Sequence, residues 1–296
     1  MSRLVGVVAL ALLLVPGSVC AGNRESMIVD AAWLASHLKD RNLVLLHVGP
    51  REGYDAAHIP GARHVVPADL SLPRTEGSLI LELPPVDVLD AALEKLGISD
   101  DSRIVVYFGE DWVSPTTRIY FILDSIGAGD RTSILNGGMR AWKAAGNAVT
   151  AEVPAVKPGR LTPKPRRDLV VDAAWVKANA GKPKVALVDA RNTEYYDGTA
   201  SGQDMRAGHI PGAMSLPYES LVTEPDLKFI APAAMRKLLE GAGAAKGDTV
   251  VSYCHIGQQA SLVYFAARYL GYDAKLYDGS FQDWSRHAEL PVATKP

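Results

Sequence analysis

The chain has 296 residues, enough for two domains of ordinary size that each bury a core, and 48% of it is apolar. Its 33 acidic and 31 basic residues leave a net charge of −2. That balance excludes the cationic surface a nucleic-acid binder needs, and long-range electrostatics identify no partner.

Residues 1–21 stand apart, with Arg3 followed by an apolar run from Leu4 to Val15, then Pro16, Gly17 and small residues. This is the pattern of a secretory signal peptide. The run falls short of the roughly 20 residues that span a bilayer, so no membrane span is expected. Cleavage after Ala21 fits the small residue there. Cys20 raises a second outcome, a lipoprotein anchor, which Val19 directly before it disfavours. The expected location is periplasmic or secreted. Removal of the signal leaves Cys254 as the single cysteine, and a lone thiol in an exported chain is a flag for reactivity or intermolecular pairing.

Beyond the signal the chain repeats itself. Val29-Asp30-Ala31-Ala32-Trp33 returns as Val171-Asp172-Ala173-Ala174-Trp175, His58-Ile59-Pro60-Gly61-Ala62 as His209-Ile210-Pro211-Gly212-Ala213, and Gly137 to Trp142 as Gly279 to Trp284. A period of about 140 residues means tandem domains, since solenoid repeats run to roughly 20–50. The second copy carries an insertion, most simply Gly198 to Arg206. The domains are 22–150 and 169–296, joined by a proline-rich linker over 151–168 that proline stiffens. Short apolar runs predict strands over 43–48, 104–108, 185–189 and 249–253. Three- and four-residue spacing predicts helices over 31–40, 86–96, 115–126, 172–180, 232–242 and 259–270. Strands alternating with helices imply an α/β fold with parallel sheets.

In the second copy, Thr249-Val250-Val251-Ser252-Tyr253 leads into Cys254-His255-Ile256-Gly257-Gln258-Gln259 and then an amphipathic run. Strand, tight loop and helix place Cys254 at a strand end, facing loop N–H groups and the positive end of a helix dipole, which favour thiolate. Gly257 supplies the backbone freedom a short loop needs. A small buried hydrophobe is the commoner state of a free cysteine and is the alternative reading. The stretch resembles the six-residue active-site loop of the rhodanese family of sulfurtransferases, whose tandem members would cover the whole mature chain.

The resemblance implies two small parallel sheets with helices on both faces, and a cysteine that takes up a sulfane sulfur. It implies Cys254 as nucleophile, with His255, Ile256, Gly257, Gln258 and Gln259 forming the cradle. Arg191 matches an arginine that binds the anionic donor in the family. Arg206 is a second candidate, with a solvated surface arginine as its alternative. Laying Ile104 to Gly109 on Thr249 to Cys254 puts Gly109 at the cysteine position, so the first domain reads as non-catalytic, a structural unit or a wall of the cleft. His58 and His209 occur in both copies and read as fold geometry; Asp189 reads as a structural acceptor. His255, if protonated, would help hold an anion.

The seven histidines lack metal spacing and no nucleotide loop is present, so no cofactor is implied. The expected partners are a small anionic sulfur donor and a thiol or cyanide acceptor, acting on a monomer. A phosphatase or arsenate reductase of related fold would need an arginine at the far end of the loop, where Gln258-Gln259-Ala260 stands. A non-enzymatic sulfur carrier or partner-binding module stays open. The loop has neither the basic residues of thiosulfate-type members nor the serine of mercaptopyruvate-type members. Thiosulfate, a compact dianion, is the donor an Arg191 and Arg206 pair would suit.

Overall fold

The structure is a computed structural model describing residues 24–109 and 112–295. The expected signal peptide, with Cys20 and Ala21, falls outside the described residues, as do Glu110 and Asp111.

In the first copy the elements run β1 (Ile28–Val29), α1 (Ala31–His37), β2 (Leu43–Val48), α2 (Arg51–Ala56), β3 (Arg63–Val65), α3 (Val86–Lys95), β4 (Arg103–Phe108), α4 (Ser114–Ser125), β5 (Thr132–Leu135) and α5 (Gly138–Ala144). The second copy repeats them as β6 (Val170–Val171), α6 (Ala173–Asn179), β7 (Val185–Asp189), α7 (Thr193–Asp197), β8 (Met214–Ser215), α8 (Pro232–Gly241), β9 (Thr249–Tyr253), α9 (Ala260–Leu270), β10 (Asp273–Tyr277) and α10 (Ser280–Arg286). Each copy forms a five-stranded sheet, in the order β1-β5-β4-β2-β3 and β6-β10-β9-β7-β8, with every strand pair parallel. Asp30 and Asp172 cap α1 and α6 in the same way, each accepting from the tryptophan N–H three residues on. No described helix is long and apolar enough to cross a membrane.

Side chains alternate across a strand, and this sets which residues look toward the other domain. In β4, Ile104, Val106 and Phe108 enter a core shared by both domains, while Val105 and Tyr107 enter a core of the first domain alone. In β9, Val250 enters the shared core, as does Cys254 just past its end, while Val251 and Tyr253 face the second domain's own. The shared core centres on α4 packed against α9, where Tyr120 meets Phe265 edge-on and Phe121 meets Tyr264. All of α4 except Pro115 is buried.

The linker does not float between the domains. Gly159 N–H donates to the Glu94 carbonyl, Leu161 N–H to Glu94 Oε1, and Lys164 and Arg166 N–H to Ile126 and Ser125 carbonyls. It is a strap along the first domain.

The two copies superpose one residue away from the sequence alignment. Tyr107 Oη accepts from Ile59 N–H at 3.0 Å as Tyr253 Oη accepts from Ile210 N–H at 3.1 Å, and Tyr107 pairs with His47 as Tyr253 pairs with Asp189. Phe108, not Gly109, therefore stands at the Cys254 position. A phenyl ring, like the glycine expected there, offers no nucleophile at that position. His47 replaces Asp189 and Gly49 replaces Arg191.

His47 is buried beside Gly109, where a Cβ would meet its Nε2 at 2.1 Å. Burial first, then His64 and His58, lowers its pKa from 6.5 to about 4. The folded state thus holds a neutral ring where the unfolded chain takes a proton. The stability this gives is complete above the unfolded pKa of 6.5 and is lost as pH falls toward 4, approaching about 3 kcal/mol over that window. Urea unfolding followed from pH 7 to 4.5 should show this slope, and His47→Gln should flatten it. An unchanged slope in that variant would assign the pH dependence elsewhere.

Candidate active site

The chain leaves the sheet at Cys254, whose side chain is fully buried on the interdomain face. Its N–H donates to Ser280 Oγ at 3.2 Å, and its carbonyl accepts from Phe281 N–H at 2.9 Å. The His255 carbonyl accepts from Gln282 N–H at 2.9 Å, so the strand end is tied to the first turn of α10. Ser280 Oγ also donates to the Tyr277 carbonyl at 2.8 Å. Ser280 is held at φ +52°, a left-handed conformation costly for a non-glycine residue and one that persists where the surroundings enforce it.

Past Cys254 the chain runs through His255, Ile256, Gly257, Gln258 and Gln259 into α9. Gly257 turns at φ +80°, and a Cβ there would stand 2.9 Å from the Asp278 carbonyl oxygen and 3.0 Å from Arg118 Nη1, so glycine is required. None of the amide N–H groups from His255 to Gln259 donates to an acceptor among the described residues. With the N-terminus of α9 behind them, they form a concave set of donors suited to an anion.

Arg191 follows β7 by two residues and is buried. Its Nε and Nη2 grip the Asp189 carboxylate at 2.9 and 2.5 Å, Nη2 also donates to the Gly208 carbonyl at 2.8 Å, and the guanidinium lies over the Phe281 ring at 4.1 Å. Burial works against this charge, but the Asp189 contacts, with Tyr253 and Cys254 nearby, outweigh it and raise the pKa. Arg191 is thus a fixed cation beside the cysteine. Arg206 is half-buried, its Nη1 and Nη2 donating to the Leu290 and Trp284 carbonyls at 2.7 and 2.8 Å.

His255 is half-buried and edge-on to Tyr195 at 4.5 Å. Burial first, and Arg191 second, lower its pKa. The loop therefore carries a neutral imidazole near neutral pH, and the cationic role considered from sequence is not the state the surroundings favour. The ring opens on a cleft of about 790 Å³ between first-domain residues 74–80 and the second domain's insertion, with Gln282 and Arg286 on its wall. His58 and His209 stack on Tyr54 and Tyr196 and bond those residues' carbonyls through Nδ1, in equivalent positions. They are placed as fold geometry.

The rhodanese-like domain matches residues 30–145 and 172–287, the two copies described above. The chain belongs to the rhodanese family. A probable 3-mercaptopyruvate sulfurtransferase of Pseudomonas aeruginosa is 32% identical over 91% of this chain and 99% of its own length. A thiosulfate sulfurtransferase of the same organism is 30% identical over 90% and 96%. A sulfur carrier protein of Thermus thermophilus is 32% identical over 90% and 96%. The anaerobic ergothioneine biosynthesis enzyme from Chlorobium limicola, at 23% identity, shares the fold with a TM-score of 0.80 over 93% of this chain and 72% of that one.

In this rhodanese the first domain walls the cleft, one of the two roles expected of it, through a segment that the sequence did not single out. Residues 77–83 cross to the second domain: Ile80 N–H donates to Gln282 Oε1, Leu83 N–H to Asp278 Oδ2, and Arg286 donates to the Gly77 and Ser78 carbonyls. The second domain answers with Phe229 N–H on Asn136 Oδ1, and Leu81 and Leu227 share a positive φ at matching places in the two arms. Ser280 also went unread. The signal for it was present, because the first copy has Gly138 where the second has Ser280, at nearly the same φ of +53°.

Proposed function

We propose that the protein is a sulfurtransferase that moves a sulfane sulfur through a persulfide on Cys254. The observation that carries this is the one cysteine among the described residues, buried at the head of a six-residue loop in which the amides from His255 to Gln259 have no acceptor among the described residues. The Cys254 thiolate attacks the outer sulfur of thiosulfate and forms an S–S bond, while the bond to the sulfonate sulfur breaks and sulfite leaves with the electron pair. The amides from His255 to Gln259 and the fixed charge of Arg191 stabilise the sulfur anion left in the loop. Cyanide or a thiol then attacks that outer sulfur, and its S–S bond breaks to return the thiolate.

Two guanidinium groups support thiosulfate as donor: Arg286, on the cleft wall with Arg74, Glu76 and Asp204, and Arg206 nearby in the chain each bond to carbonyls and to no carboxylate among the described residues. Thiosulfate is expected to exceed 3-mercaptopyruvate in kcat/KM by about tenfold on one preparation. Because His255 is neutral, KM for thiosulfate should stay flat from pH 8 to about 6.5. A clear preference for mercaptopyruvate would overturn the donor reading. A sulfur carrier is the second reading, favoured by the relative that bears that name; one sulfur accepted per chain without turnover would establish it. Residues 1–21 support export with cleavage after Ala21, which N-terminal sequencing of the secreted protein tests.

A further inference from the structure

Arg118 belongs to α4 of the silent domain, yet its guanidinium ends inside the catalytic one. It is fully buried. Nη2 donates to the Leu81 carbonyl at 2.5 Å and lies 2.7 Å from Asp278 Oδ1, an ion pair whose angle falls short of a hydrogen bond. Nε and Nη1 have no partner among the described residues. Nη1 abuts the middle of the Cys254 loop, 3.0 Å from where a Cβ on Gly257 would stand.

A buried cation with idle donors is an unfavourable arrangement unless a partner charge forms beside it. Arg191 commits Nε and Nη2 to Asp189 and Gly208, and Arg206 commits both terminal nitrogens to carbonyls. Among the described residues, Arg118 is the buried guanidinium with an unpartnered nitrogen set against the loop. The glycine requirement at 257 has the same origin, since the guanidinium and the Asp278 backbone fill the space a side chain would need.

We infer that Arg118 is a positioning residue for the sulfur-transfer reaction, reaching from the domain without a nucleophile to hold the Cys254 loop and balance its negative charge. This explains why the silent copy is retained against the catalytic one: it delivers a cation. The inference rests on the persulfide reading only in taking the loop to carry an anion.

Alkylation of Cys254 by iodoacetamide against pH, in the full-length chain, tests it without any sulfur transfer. Besides Arg118, the ionisable groups around the sulfur are Arg191, His255, Tyr253, Asp189 and Asp278, and all stay in place in Arg118→Met. That variant should move the inflection up by about one unit. Arg118→Lys should restore most of the shift. A folded Arg118→Met with the wild-type inflection overturns the inference, whatever its melting temperature. Should Arg118→Met not fold, the isosteric Asp278→Asn decides: freeing Arg118 from its counter-charge should move the inflection down, and an unmoved or raised inflection overturns the inference. Absence of thiosulfate-to-cyanide turnover in the wild-type chain, with these shifts present, would instead count against the proposed function and leave the inference standing.

Discussion

Cys254→Ser is expected to reduce sulfur transfer from either donor below about one-thousandth of wild type and to leave no sulfur adduct on the chain. The change exchanges one atom at a fully buried position, so the loop, its Ser280 anchor and the N-terminus of α9 stay in place. What is lost is the nucleophile, because a serine hydroxyl stays protonated at neutral pH where a thiol ionises. Among the described residues no other cysteine exists to substitute, and Phe108 fills the equivalent place in the first copy. Turnover measured beside intact mass on the same sample checks this. Substantial activity in the serine variant would mean that sulfur travels through another group.

The repeat, the parallel α/β architecture and the position of Cys254 were legible because each rests on local pattern. Val29 to Trp33 and Val171 to Trp175 share their letters, and the apolar run before Cys254 has strand length. The one-residue slip that put Gly109 at the cysteine position has a physical cause. A run such as Ile104-Val105-Val106 is apolar on both faces and carries no register of its own. The bonds of Tyr107 and Tyr253 to Ile59 and Ile210 fix it, and these partners lie far apart in sequence. The same distance hid Arg118, which meets Gly257 and Asp278 only after the two domains close. A lone arginine in a helix, three residues beyond Pro115, looks locally like any surface residue. The charge state of His255 is illegible in sequence for a related reason: its burial and the nearness of Arg191 are tertiary facts.

Asp124→Ala is expected to destabilise the chain by about 3 kcal/mol or more and to do so for both domains at once. Asp124 lies one residue before the end of α4 with 1% exposure and gathers partners from the second copy and the linker. Tyr264 Oη donates to it at 2.6 Å, Arg268 Nε at 2.9 Å and Arg166 Nη1 at 2.8 Å. Without the carboxylate the buried Tyr264 hydroxyl has no acceptor, Arg166 loses its counter-charge, and Arg268 keeps only the exposed Asp130 at 3.3 Å. Arg268 and Arg166 keep side-chain exposures of 21% and 33%, so water replaces part of what they lose, which holds the cost near the lower end for a broken buried pair. Asp124→Asn keeps an acceptor for Tyr264 and should cost about 1–2 kcal/mol. Because Phe121, Tyr264 and Phe265 belong to one core that spans both copies, the first domain cannot unfold without exposing the face that carries Cys254. Urea unfolding read by circular dichroism and by Cys254 alkylation should therefore give one midpoint, shifted equally by Asp124→Ala in both probes. Two separate midpoints, or a loss below about 1 kcal/mol, would show that the interface is an accessory to two independent domains.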